Sequence, residues 1–96
     1  MYYVVRYAPH PTGFGRVREV YPAHRAYVDR EGAAGRVWLI GTFADAANDG
    51  AMCLFRSRAD ADRFLTGDPF VSETIVVPSA VLPWEPLEFP PSTPVP

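Results

Sequence analysis

Two short segments, Tyr21-Pro22-Ala23-His24 and Gly67-Asp68-Pro69-Phe70, hold the side chains of this chain whose types could do chemistry together. The first offers an imidazole and the second a carboxylate. An aspartate that accepts from one ring nitrogen fixes the tautomer and stabilises the imidazolium formed when the other nitrogen takes a proton. Such a pair in a dry pocket is sufficient for proton abstraction next to a carbonyl, for elimination and for isomerisation. Each residue also has a plainer use. A histidine on an inward helix face is commonly a hydrogen-bonded core residue, and an aspartate before proline starts turns. Taken singly, each reads as structural.

The elements that must position the pair follow from the patterning. Residues 2–8 are β-branched and aromatic and read as a strand, and His10 to Gly15 is a loop with Pro11, Gly13 and Gly15. Val17, Val20, Tyr21, His24, Tyr27, Val28 and Glu31 recur at three- and four-residue spacing, which is one face of a helix. Pro22 marks the start of the regular helix, because proline suits the first helical position. His24 then falls in the first turn, where the helix dipole and partial burial disfavour an imidazolium. Gly32 or Gly35 ends the helix. Arg36 to Phe43 is a second strand, Ala44 to Gly50 a turn, and Ala51 to Arg56 a third strand, so these two strands form a hairpin. Ser57 opens a second helix with Ala61, Phe64 and Leu65 inward, and Gly67 ends it. Asp68 lies just past that helix, where the dipole offers a carboxylate nothing. Residues 71 to about 82 hold a fourth strand, interrupted near Pro78.

The order β-α-β-β-α-β is the ferredoxin-like arrangement: an α+β protomer with two helices on one face of a four-stranded antiparallel sheet. The domain spans residues 1–84, and residues 85–96 form a proline-rich tail. The strands are apolar on both faces, with Tyr2 and Val4 alternating with Tyr3, Val5 and Tyr7, and Val37 and Leu39 with Trp38 and Ile40. A sheet with one solvated face should alternate with polar residues. The open face is therefore expected to meet a second copy in a homodimer, unless the tail folds back over it.

Composition removes several function classes. The chain has 96 residues, 48% of them hydrophobic, with a formal net charge of −2, so it carries no electrostatic footprint for nucleic acid or an anionic membrane. No apolar run is long enough for a bilayer span, and the start lacks the basic region of a secretory signal, so a cytoplasmic location is expected. All 9 basic residues are arginine, which removes Schiff-base chemistry and a phosphate-loop lysine. Cys53 has no partner for a disulfide and reads as a small core hydrophobe. His10 and His24 lack metal-ligand spacing, and Gly13-Phe14-Gly15 lacks a nucleotide-binding context, so neither metal nor cofactor is expected. Arg6 could neutralise an anionic substrate or lie near the sheet edge, and Phe43 and Phe70 could line a pocket beside the pair or pack in the core.

The Pro22-Ala23-His24 segment, the strand from Gly35 to Gly41, the Gly50 hairpin and Gly67-Asp68-Pro69-Phe70 together resemble the YCII-related (YciI-like) proteins, from about Tyr2 to Trp84. The resemblance implies a dimeric α+β barrel built from ferredoxin-like protomers. It matches His24 and Asp68 to that family's active-site dyad, and one branch of the family eliminates chloride from a chlorinated hydroxyquinol. Fold relatives include muconolactone isomerases and small monooxygenases. The implied function is a cofactor-independent enzyme, a lyase or isomerase moving a proton on a small aromatic or enolisable molecule. The alternatives are a small-ligand binding protein and an accessory dimer that contacts a partner protein through its tail.

Overall fold

The computed structural model describes residues 1–91, so part of the tail expected over 85–96 lies outside the described residues. Five strands form one antiparallel sheet: β1 (Tyr2–Pro9), β2 (Leu39–Thr42), β3 (Ala51–Phe55), β4 (Val76–Pro78) and β5 (Leu82–Trp84). Their order is β2-β3-β1-β4, with β5 also on β1. Strands β4 and β5 share one side of β1, pairing with Tyr7–Pro9 and Tyr2–Val4 respectively. The fourth position of the ferredoxin-like frame is thus a single strand broken after Pro78, which has no N–H to give the ladder. Ser79 bridges the break. Its N–H donates to the Arg6 carbonyl at 2.8 Å, and its hydroxyl accepts from the Arg6 N–H at 2.9 Å.

Alternation along β1 sends Val5 and Tyr7 to the helix side, opposite Cys53 and Ala51 of β3. There they join Phe55, Ala61, Phe64 and Ile75 in a core where every one of these side chains but Ala51 is buried. Helix α3 (Arg58–Gly67) is capped by Ser57, whose hydroxyl accepts from Asp60 N–H at 3.1 Å, and it presents Ala61 and Phe64 to the sheet.

Three local readings are corrected. Helix α1 runs Val17–Ala33, so Pro22 lies inside it and not at its first position. A 3-10 turn at Gly13–Arg16 leads straight into the helix, and burying Val20 with Val17 against the core outweighs the bond that proline forfeits. His24 therefore sits beyond the first turn, and the helix dipole is not what acts on it. Where a plain turn was expected, Ala46–Asp49 forms a one-turn helix, α2, which ends on Gly50 at φ 72°. A side chain at Gly50 would also run into the Tyr7 carbonyl. Residues 69–72, with Val71 assigned to a strand, instead form the short helix α4 (Pro69–Ser72).

The second strand begins later than expected because Arg36 turns back to α1. Its guanidinium donates to both oxygens of Glu31 at 2.8 to 3.2 Å, and its N–H meets the Glu31 carbonyl at 2.9 Å. Glu31 is buried, with Arg63 a further 3.5 Å contact.

The other sheet face carries no helix. Cross-strand pairs place Val4, Leu39, Leu54 and Leu82 in one row, and Tyr2 opposite Trp84. Leu39, Leu82 and Trp84 are about half exposed, and Trp38 packs against Tyr2 with ring centroids 4.8 Å apart and planes tilted by 30°. Leu87 and Phe89 of the tail point to solvent at 86% and 79% exposure, and the tail meets this face through Glu88, which accepts from the Tyr2 hydroxyl, leaving Leu39, Leu82 and Trp84 half exposed.

The hydrogen bonds from Arg36 hold the Glu31 carboxyl below its usual range. A group depressed in this way adds stability above its unfolded pKa of about 4.3 and loses it as pH falls through the lower folded value. Glu31→Gln is expected to lower the urea midpoint at neutral pH, and the gap from the parent to close progressively below about pH 4. A constant gap from pH 7 to pH 3 would show that the ion pair is not the source.

Candidate active site

Asp68 is fully buried and stands at the joint of two helices. Its N–H donates to the Phe64 carbonyl at 3.0 Å and closes α3, while its carboxylate accepts from Phe70 N–H at 3.0 Å and starts α4. Pro69 suits the first position of α4 because its missing N–H is not needed there. Gly67 is required for a different reason: any side chain there would collide with the Tyr27 ring.

Two further side chains reach the same carboxylate. His24 Nδ1 lies 2.7 Å from Oδ1, and the Tyr7 hydroxyl donates to Oδ2 at 2.6 Å. As an anion, Asp68 accepts from all three donors and needs to give nothing. The proton of the imidazole then belongs on Nδ1, and Nε2 is left with its lone pair. The ring is held on its flat side as well, stacked on Phe70 with centroids 3.7 Å apart and planes 3° from parallel. Burial pushes the Tyr7 phenol far above its ordinary range, with Cys53 and the Asp68 charge adding to it, so Tyr7 remains a donor. The Cys53 thiol is pushed up to about 12, chiefly by burial, and is no nucleophile at neutral pH.

His24 and Phe70 form part of the wall of a cavity of about 560 Å³ between α1 and the helix side of the sheet. That is room for a small organic molecule. Its remaining walls are largely apolar, with Phe14, Val17, Val28, Ile40 and Val76, while Arg25, Asp29 and Thr42 bring polar groups. Phe14 is placed by the 3-10 turn, which His10 braces: its Nδ1 accepts from the N–H of Gly13 at 2.9 Å and of Thr12 at 3.2 Å. Among the described residues no group of three histidine, cysteine or acidic side chains could hold a metal ion, and no helix is long and apolar enough to cross a membrane.

Of the two phenylalanines expected beside the pair or in the core, Phe70 borders this cavity and Phe43 does not, and Arg6 is not among its walls. Arg6 is out of step with Val5 and Tyr7 on β1 and so faces the open side of the sheet, where its guanidinium lies 5.1 Å from the Phe43 ring centroid. Tyr7, conversely, is a site residue that the sequence hides. A tyrosine in an apolar strand reads as core, and only its inward parity with Val5 hints at where its hydroxyl goes. Arg25 and Asp29 form an ion pair at 2.9 Å, and both border the cavity.

The family model described as YCII-related domain matches residues 1–85. The chain belongs to that family. No curated protein matches it in sequence. Among solved structures, the 5-chloro-2-hydroxyhydroquinone dehydrochlorinase of Burkholderia phenoliruptrix AC1100, in complex with 2,5-dihydroxybenzoquinone, is similar at TM-score 0.66. The two are 20% identical, and the match covers 88% of this chain and 94% of that one. At that identity the likeness establishes a shared fold.

Asp68→Ala strands three donors in the interior and is expected to destabilise the protein by about 3 kcal/mol or more, read from urea denaturation. A loss below about 1 kcal/mol would show that the triple acceptance does not hold the joint.

Proposed function

We propose that this member of the YCII-related family is a cofactor-independent enzyme that moves a proton on a small aromatic or enolisable molecule, with His24 as the base and Asp68 as its orienting partner. The observation that carries this reading is the commitment of His24 Nδ1 to Asp68 at 2.7 Å, which leaves Nε2 for a molecule in the adjoining cavity. Nε2 takes a proton from the substrate, and the positive charge that forms on the ring is met by the Asp68 carboxylate. The imidazolium then returns the proton to a departing group, which completes an elimination, or to a neighbouring carbon, which completes an isomerisation. The apolar walls exclude water and stabilise a planar ring, with Phe70 both supporting His24 and bordering the substrate. Elimination has the support of the structural neighbour, which is a dehydrochlorinase of a chlorinated hydroxyhydroquinone.

The half-exposed apolar sheet face supports a homodimer in which two such faces pack together. A chain with one cysteine suits the reducing cytoplasm.

A panel of hydroxyquinones, lactones and enolisable acids is expected to contain a substrate. His24→Ala should lower its turnover at least about 100-fold while ligand affinity persists. Retained turnover would remove the base role. For the dimer, Leu39→Asp is expected to give a monomeric mass in sedimentation with the circular dichroism spectrum unchanged. A dimer that survives this substitution would mean that another surface joins the copies.

A further inference from the structure

We propose that Tyr7 is a positioning residue that sets the proton affinity of His24 through the carboxylate they share. The proposal rests on the reading of His24 as a base and adds a third member to the pair. Asp68 presents one oxygen, Oδ1, to the imidazole and the other, Oδ2, to the Tyr7 hydroxyl at 2.6 Å, with no exposure to water. A short bond from a neutral hydroxyl to a buried carboxylate draws negative charge toward the donor. The charge left on Oδ1 is a weaker partner for an imidazolium, so the ring gives up its proton more readily. Tyr7 thereby favours the neutral imidazole, the form that can accept a proton from a substrate.

No other group around the ring offers the same control. From α1, Tyr21 lies with its ring centroid 6.1 Å from that of His24, and Arg25 and Asp29 neutralise one another at 2.9 Å. From β3, Cys53 is buried and holds its proton, as does Tyr7 itself, for which burial makes ionisation unfavourable. Among the described residues, Asp68 is the one carboxylate in direct contact with the imidazole, and Tyr7 is the one side-chain hydroxyl on Asp68. Since Tyr7 also borders the cavity, its position ties the tuning to the floor on which a substrate rests.

The test follows the His24 ring by nuclear magnetic resonance across pH in the full chain, and needs no substrate. Tyr7→Phe is expected to raise the pH at which the ring titrates by about one unit, a tenfold gain in proton affinity. Asp68→Asn should lower it, and adding Tyr7→Phe to Asp68→Asn should produce no further change, because the route runs through the carboxylate. Should Tyr7→Phe fail to fold, 3-fluorotyrosine at position 7 keeps the shape and makes the hydroxyl a stronger donor, and the ring is then expected to titrate at lower pH than in the parent. A ring that titrates unchanged in either Tyr7 variant overturns the proposal, as does a shift of equal size with and without the Asp68 carboxylate. If the titrations behave as expected while no panel compound is turned over, the functional reading fails and the tuning stands; turnover by a protein whose titration ignores Tyr7 separates the two in the opposite sense.

Discussion

A carboxylate with no access to water must be satisfied entirely by its neighbours, and the arrangement of this protein around Asp68 follows from that requirement. Removing an anion from water costs several kcal/mol unless donors replace its hydration. Here the donors come from three places in the chain: the imidazole of α1, the phenol of β1 and the amide of Phe70 at the start of α4. Each must arrive at about hydrogen-bond distance, so the helix, the central strand and the α3–α4 joint are fixed relative to one another by one side chain. The same three contacts that make the burial tolerable also orient the imidazole. Folding and chemistry impose a single geometry on this corner of the core.

The sheet separates two tasks by the parity of its strands. On β1, Val5 and Tyr7 serve the core and the cavity, while Tyr2, Val4 and Arg6 face the uncovered side. An arginine one residue away from Tyr7 is therefore a whole sheet thickness from His24. The uncovered side is largely apolar and carries cation–π contacts such as Arg56 over Trp38 at 4.6 Å.

Much of this was legible in the sequence because periodicity records which way a side chain points. The inward stripe of α1 through Val20, His24 and Glu31, the apolar strands and the Ser57 cap are all patterns of spacing, and spacing survives in one dimension. What was not legible has physical reasons too. Pro22 obeys a preference worth less than the burial of the residues that precede it, so the helix begins at Val17 regardless. Helices α2 and α4 are a single turn each, too short to display a period. Tyr7 looks like any strand aromatic, since a hydroxyl in search of a buried acceptor leaves no mark on the residues around it. The choice left open for Arg6 is decided by the two-residue alternation that assigns Val5 and Tyr7 to the opposite side, whereas Phe43 lies past the end of β2, where no alternation marks its direction.

The cavity draws its walls from parts of the chain with very different constraints. His24, Tyr7 and Phe70 are locked into the interior by Asp68, but Phe14 comes from a 3-10 turn braced by the His10 ring, and Ala46 from the isolated turn of α2. Neither segment contributes a donor to the buried carboxylate. Such a division holds the imidazole and its carboxylate rigidly in the core while the wall in front of them is built in part on surface turns.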